Sequence, residues 1–406
     1  MSELNFASRT VWTGDCMEVM RGMNSNTVDL IYLDPPFNSK QDYAAPIGSQ
    51  AAGAAFKDTW TLSDIDVEWI DLIERRNPAL HRVLLAATVD SDKSYLAYMA
   101  TRLLEMPRLL KPTGSIYLHC DPTMSHYLKL IMDAIFGRRN FLNEVIWYYR
   151  GAGVPKMARA RRHDVILWYA KQDGDHRFNP DPIRQPYADA TVKRFSHYIG
   201  NVRGDVDFGP QSLNPSGKHP DDVITHIQPI APSAKARLGY PTQKPIELLQ
   251  DIIGSSSNPG DMVFDPFCGC ATTCVAAENM GRQWVGIDLS PKAGELVMQR
   301  LAAGKSAVRR DDITLRSDIP ERSDLGPLPR YNSPQIKEQL YGQQGGFCAH
   351  CQEHFQPRHL EVDHIIARAR GGTDHLSNLQ LLCGNCNRVK GDRGMEYLRA
   401  KLQLAR

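Results

Sequence analysis

The feature that most restricts this chain's fold is a set of short apolar runs recurring between helical stretches. Residues 28–33 read Val-Asp-Leu-Ile-Tyr-Leu and stop at Asp34-Pro35-Pro36-Phe37. A run that short, rich in branched and aromatic side chains and ended by proline, has the pattern of a buried parallel strand. Residues 114–119 repeat it after a Lys-Pro-Thr-Gly turn, and 262–267 and 284–288 repeat it again. Ser94–Leu110 and Thr272–Asn279 carry apolar residues at helical spacing. Strand and helix in alternation predict an α/β unit, a doubly wound parallel sheet with helices on both faces. Apolar residues are 42% and charged residues 23% of the chain, which excludes disorder or a disulfide mini-scaffold as a description of the whole.

The ends of these strands carry the chemistry. Two consecutive prolines after Asp34 stiffen the backbone and remove two N–H donors. Carbonyl oxygens and the Asp34 carboxylate are then left facing the crevice beyond the sheet, where open α/β sheets bind ligands. Acceptors grouped in this way suit an exocyclic amino group, and Phe37 adds a face on which an extruded base could stack. A second strand ends at Asp265-Pro266-Phe267-Cys268-Gly269-Cys270-Ala271, a glycine-containing turn that opens a helix and lets a ligand approach the backbone. The next predicted strand ends at Asp288, placed to accept from ribose hydroxyls.

On these residues the chain resembles the amino-group DNA methyltransferases that use S-adenosylmethionine. Asp34, Pro35, Pro36 and Phe37 match the family's catalytic motif, and Asp265–Ala271 its cofactor loop, with Asp265, Phe267 and Gly269 as cofactor-binding residues. Thr242-Gln243-Lys244-Pro245 matches a further cofactor-side motif, through Thr242 and Lys244, and Asp15 sits where the family places an acid near the cofactor's adenine. The motif order resembles the β-class permutation, which includes type III modification subunits. The resemblance implies a Rossmann-like methyltransferase domain over 1–302 with a target-recognition region over 145–240. It also implies double-stranded DNA as partner, adenine N6 ahead of cytosine N4 as target, and a bacterial or phage-encoded protein. The family's loop continues with glycine where this chain has Ala271, a change that matters only if φ there is positive. Cys268, Cys270 and Cys274 read as loop-packing residues, because direct transfer needs no covalent enzyme intermediate.

From Trp147 to Asp205 there are 11 Lys/Arg against 6 Asp/Glu, although the whole chain carries only +2. Arg150, Lys156, Arg159, Arg161 and Arg162 stand in a glycine-rich stretch suited to phosphates or guanine edges; His163 and Asp164 read as structural. Residues 303–335 are polar and proline-punctuated, the composition of a linker. No apolar run approaches the ~20 residues of a membrane helix and the first ten residues lack a signal-peptide core, so no membrane contact and a cytoplasmic location are expected. A homodimer is left open.

The last unit, 336–406, is built around Cys348-x-x-Cys351 and Cys383-x-x-Cys386. Four thiolates on two tight turns suit a structural Zn²⁺, which a unit this small needs as a staple. Between and just after the pairs stand Asp363, His364, Asn378 and Asn387. This segment resembles the HNH nucleases of the ββα-metal type. The resemblance makes His364 the general base, Asn378 the support of the active loop, and Asp363 with Asn387 the ligands of Mg²⁺ or Mn²⁺. Lys390 and Arg393 are expected on flanking phosphates and His375 is expected to be structural. The alternative keeps the cysteines, abandons His364 and makes the tail a DNA-binding module without cleavage.

Overall fold

The computed structural model describes residues 3–403 apart from 41, 46–48, 53–54, 57, 60–69, 71–72, 75–76, 152, 198–199, 204–205, 232–233, 235–236, 241 and 304–308. Its centre is a nine-stranded sheet. In chain order the strands are β1 (Thr10–Thr13), β2 (Val28–Leu33), β3 (Leu110–Cys120), β4 (Phe141–Tyr148), β5 (His163–Ala170), β6 (Val223–Ile224), β7 (Met262–Asp265), β8 (Gln283–Asp288) and β9 (Thr314–Arg316). Their spatial order is β6-β4-β5-β3-β2-β7-β8-β1-β9. Every residue of β2 is buried, as its mainly apolar run requires of a central strand covered on both faces. Its one charged residue, Asp29, is held by Lys111 at 2.7 Å and by the Met262 amide at 2.9 Å.

The helices used below are α1 (Cys16–Gly22), α2 (Asp90–Leu103), α3 (Ser125–Phe136), α4 (Ile246–Ser256), α5 (Thr272–Asn279) and α6 (Lys292–Ala303). One core joins α2 and α3 to residues such as Ile31, Leu33 and Leu118, and the other joins α4, α5 and α6 to Leu30, Tyr32 and Val263. Alternate residues of β2 thus feed opposite faces, which is the doubly wound arrangement.

Three expectations change. The sheet is mixed, because β5 runs antiparallel to both β3 and β4. The span expected as an insertion from residue 145 contributes β5, the second half of β4 and the short β6, since its brief apolar runs are long enough to pair once a sheet edge is available. The expected linker is also ordered in part. Residues 304–308 lie outside the described residues, but β9 pairs with β1. Beyond β9, Ser323 and Asn24 exchange hydrogen bonds of 2.8 and 2.9 Å. Asp324 accepts from the Ser25 amide at 2.9 Å.

The tail has its own core around Leu340, Leu360, Leu381 and Leu398. It consists of α7 (Pro334–Gln344), the antiparallel pair β10 (Leu360–His364) and β11 (Leu379–Cys383), then α8 (Gly384–Lys390) and α9 (Met395–Gln403). It rests on α1. Gly371, at φ +79°, sits so close that a Cβ there would come within 2.8 Å of the Glu18 carbonyl oxygen. Arg370 lies 3.8 Å from Glu18.

Candidate active site

Strands β2, β7, β8 and β1 are neighbours and parallel. Their carboxyl ends therefore open along one edge, where Asp34, Asp265, Asp288 and Asp15 emerge in a row. Residues more than 200 positions apart in the chain are brought together by the pairing of Leu30 with Val263. A cavity of about 420 Å³ lies beyond this edge and is lined by Asp34–Phe37, Asp265–Cys270, Thr242–Lys244, Asp15 and Asp288. The Asp-Pro-Pro-Phe motif and the glycine turn thus share one pocket.

Both oxygens of Asp34 accept from Lys244 Nζ, at 2.8 and 2.6 Å, and the same ammonium lies 5.0 Å from the centroid of Phe37. Lys244, expected on the cofactor side, lines the cavity and has the carboxylate of the Asp-Pro-Pro motif as its direct partner. The lysine is only 8% exposed, and a charge that far removed from water needs a counter-ion at contact distance. Thr242 stands beside it at φ +58°, a left-handed conformation that a β-branched residue seldom adopts.

The acids of the glycine turn are largely spent on building it. Asp265 accepts from the Phe267 amide at 3.0 Å and from the Thr273 hydroxyl at 2.5 Å, and burial pushes its pKa up to about 7. Asp288 accepts from the amides of Gly269 and Ser290, both at 2.8 Å, and is likewise pushed up by burial. Since a carboxylate offers about four lone pairs, each Asp288 oxygen retains acceptor capacity. Asp15 caps α1 through the Met17 amide at 2.8 Å and pairs with Arg102 at 2.7 Å. Gly269 has φ +49°, and a Cβ there would come within 3.1 Å of the Tyr240 hydroxyl. Ala271 has φ +57°, so the position where the family carries glycine does require the left-handed conformation. Cys268 and Cys274 pack against Gly286, and a hydrogen bond between them together with burial pushes the Cys268 thiol up. That is the behaviour of packing residues, not of nucleophiles.

In the tail, the Sγ atoms of Cys348, Cys351, Cys383 and Cys386 all lie within 4.8 Å of one another. Small rotamer changes would bring them to the Zn–S distance of about 2.3 Å, so the donor set fits a structural zinc ion. Among the described residues this is the only group of three or more His, Cys, Asp and Glu side chains that could share a metal. His364 Nε2 lies 2.8 Å from Asp374, which Arg368 also holds, and the ring of Tyr331 packs on the imidazole at 4.7 Å between centroids. Asn378 bonds the Ile366 amide and carbonyl at 2.9 and 3.0 Å and the Thr373 carbonyl at 2.8 Å. His375 accepts from the Ser377 amide and caps a short turn.

The residues expected to hold a divalent cation do not fit that role in this arrangement. Asp363 Oδ1 accepts from Lys390 at 3.1 Å and Oδ2 from Gln380 at 2.8 Å, while Asn387 donates to Glu361 at 2.5 Å. Lys390 is fully buried and its second partner is the His364 carbonyl at 2.8 Å, so it is an internal counter-ion and not a phosphate contact. Arg393 lies over the Tyr397 ring at 3.7 Å.

A family model described as DNA methylase matches residues 28–299. The chain belongs to the DNA methylase family. A model described as HNH endonuclease matches residues 348–393 of this methylase. It is 27% identical over 359 residues to the type II methyltransferase M.EcaI of Enterobacter cloacae, across 75% of this chain and 72% of that one. It is 25% identical over 297 residues to the DNA adenine methyltransferase YhdJ of Escherichia coli K12, across 72% of this chain and 83% of that one. Among solved structures it is similar to TTHA0409, a putative DNA modification methylase from Thermus thermophilus crystallised with S-adenosyl-L-methionine. The identity is 19%, over 76% of this chain and 98% of that one, with a TM-score of 0.42.

Several residues beside the methylase cavity and in the tail escaped sequence reading. His119 lies under Phe37, Tyr32 and Asp164 hold His119, Arg102 holds Asp15, and Asp374 holds His364. Asp164 was expected to be structural, and its position beside His119 is what the strand pattern did not show. For His119 and Asp164 the signal was a histidine or aspartate next to an apolar run; Tyr32 and Arg102 lie inside apolar elements and Asp374 in a polar turn, with nothing local to mark their partners.

Proposed function

We propose that this methylase transfers a methyl group from S-adenosylmethionine to the exocyclic amino group of an extruded base in double-stranded DNA, with adenine N6 as the target. The observation that carries the reading is the single cavity joining Asp34-Pro35-Pro36-Phe37 to the Asp265–Cys270 turn. The adenine assignment is supported by aspartate at position 34. The cavity residues fit the cofactor: Asp288 keeps lone pairs for hydroxyl donors, Gly269 leaves room at the turn, and Asp15 and Phe267 line the same cavity.

When bound, S-adenosylmethionine supplies an electrophilic methyl group on a sulfonium. Phe37 offers its ring to the base, and the Asp34 carboxylate with the backbone carbonyls of the Pro-Pro segment accept from the two amino hydrogens. This holds the nitrogen lone pair toward the cofactor side and stabilises the positive charge that grows on nitrogen. The two bonds from Lys244 hold the Asp34 carboxylate in place at the cavity, and its remaining lone pairs stay available. After transfer, the surplus proton leaves the amino nitrogen through the acceptors that held it, for the Asp34 carboxylate or water. The basic stretch Arg150–Arg162 is the surface we assign to target recognition.

For the tail, cleavage by His364 with a divalent cation and DNA binding without cleavage remain separable readings. The second is favoured by a specific observation, the commitment of Asp363 and Asn387 to Lys390, Gln380 and Glu361. The four cysteines would hold zinc, which stabilises the unit.

Expression in a methylation-free bacterial host, followed by single-molecule sequencing of its genome, tests the main reading. N6-methyladenine at a defined motif, lost in Asp34→Ala, is expected. An unmodified genome overturns the assignment to DNA, and N4-methylcytosine overturns the base. Incubating plasmid with the protein and Mg²⁺ or Mn²⁺ tests the tail: nicking that His364→Ala abolishes overturns the binding-only reading.

A further inference from the structure

Beneath Phe37 lies a buried network that the mechanism above does not use. His119, the penultimate residue of β3, is fully buried, and its ring stacks on that of Phe37 at 5.8 Å between centroids and 22° between planes. Both ring nitrogens are engaged: Nδ1 lies 2.9 Å from the Tyr32 hydroxyl and Nε2 lies 3.0 Å from Asp164 Oδ2. Asp164 also accepts from the Tyr149 hydroxyl at 3.0 Å. Burial pushes the Asp164 carboxyl up, but the hydrogen bond from His119 helps keep it below its ordinary range. An ionised carboxylate only accepts, so Nε2 carries the hydrogen, and the ring can neither rotate nor slide without breaking a bond on each side.

We propose that His119 is a positioning residue for methyl transfer: it holds Phe37 flat as the platform for the extruded base, and Asp164 ties that platform to the foot of the basic hairpin. The inference rests on the function proposed above. Tyr149 and Asp164 flank the segment that carries Arg150, Lys156, Arg159, Arg161 and Arg162, and the Tyr149 amide closes it by donating to the Arg162 carbonyl at 2.9 Å. One carboxylate thus joins the stem of the proposed DNA-contacting hairpin to the ring that supports the base. A buried histidine with both nitrogens satisfied is ordinarily only a packing residue. This one differs because its free face is covered by the residue on which the base is to stack. A base tilted by a loose platform presents its amino nitrogen off line, and a displacement of about 1 Å can cost ~100-fold in rate.

The test uses the full-length protein, S-adenosylmethionine and a duplex carrying the methylated motif, with and without a fluorescent analogue at the target base. Three quantities are read: kcat and KM for DNA, calorimetric affinity for S-adenosylmethionine, and fluorescence on DNA binding. His119→Ala is expected to lower kcat ~100-fold and Asp164→Asn ~10-fold, with cofactor affinity and KM within about twofold of wild type. The extruded analogue is expected to be brighter in His119→Ala than in wild type, because it has left the duplex without a firm ring to quench it. His119→Phe keeps a ring beneath Phe37 but loses the bond to Asp164, and is expected to recover kcat to about the level of Asp164→Asn. A wild-type kcat in His119→Ala overturns the inference. So does a slow variant whose analogue stays dark, which means that the base no longer leaves the duplex, or a slow variant that has also lost cofactor affinity. If the wild-type protein itself methylates no DNA, the proposed function falls first, and that outcome is distinct from the others.

Discussion

The two candidate sites spend their polar residues in opposite ways. At the edge of the sheet, Asp34, Asp288 and Asp15 are each held by a donor from the chain yet still line an open cavity. In the tail, Asp363, Asn387 and Lys390 are used up among themselves and their neighbours, two of them buried. The difference follows from size. The large domain has two apolar cores to hold its backbone, so its strand ends are free to face a ligand. The tail has a single small core, and a zinc ion held by its four cysteines, with internal ion pairs, would supply the rest of its stability.

Removing zinc tests that contrast most severely. A chelator strong enough to strip the four thiolates is expected to unfold the tail, since structural zinc contributes on the order of 10 kcal/mol to such units. Limited proteolysis should then cut between residues 336 and 403 while S-adenosylmethionine affinity stays intact; a tail that resists protease without metal breaks the comparison. Asp34→Ala should lower methyl transfer by ~10³-fold, the scale of losing a preorganised charge-stabilising group, with unchanged thermal stability of the tail. Lys390→Met leaves Asp363 buried without its counter-ion and is expected to cost ~3–5 kcal/mol of tail stability, measured by denaturant unfolding. Restoration by Asp363→Asn in the same background would sharpen the point, because it shows the pair to be structural.

Two smaller effects belong to the glycine turn. Burial raises the pKa of Asp265 above its unfolded value, so the folded state binds its proton more tightly and the contribution is stabilising at low pH. That contribution is present below about pH 4 and lost as pH rises to about 7. Asp265→Asn should therefore flatten the fall in melting temperature between those limits; parallel curves for the two proteins would refute the assignment. Ala271→Gly removes a left-handed alanine and should stabilise by about 0.5–1 kcal/mol, measured by thermal unfolding, with slightly tighter cofactor binding.

Much of this was legible in the sequence because the relevant signals are local. A short, mainly apolar run ended by Asp-Pro-Pro specifies a buried strand with acceptors at its end whatever surrounds it, and a CxxC pair specifies two thiols on one turn. What stayed hidden depends on contacts between distant segments. Residues 163–170 look like a brief run inside an irregular insertion, and only the open edge of β3 makes them a central antiparallel strand. Lys244 carries no local mark of its partner, since Asp34 lies 210 residues earlier.

The chain's own order of residues determined the elements, the two metal-type and acceptor-type donor sets, and the strand ends at which chemistry could occur, because backbone sterics and apolar periodicity act over a few residues. The tertiary structure alone decided which acids remain open to a ligand and which are neutralised inside. Burial and counter-ion pairing set that outcome, and both arise only when remote segments exclude water from the same small volume.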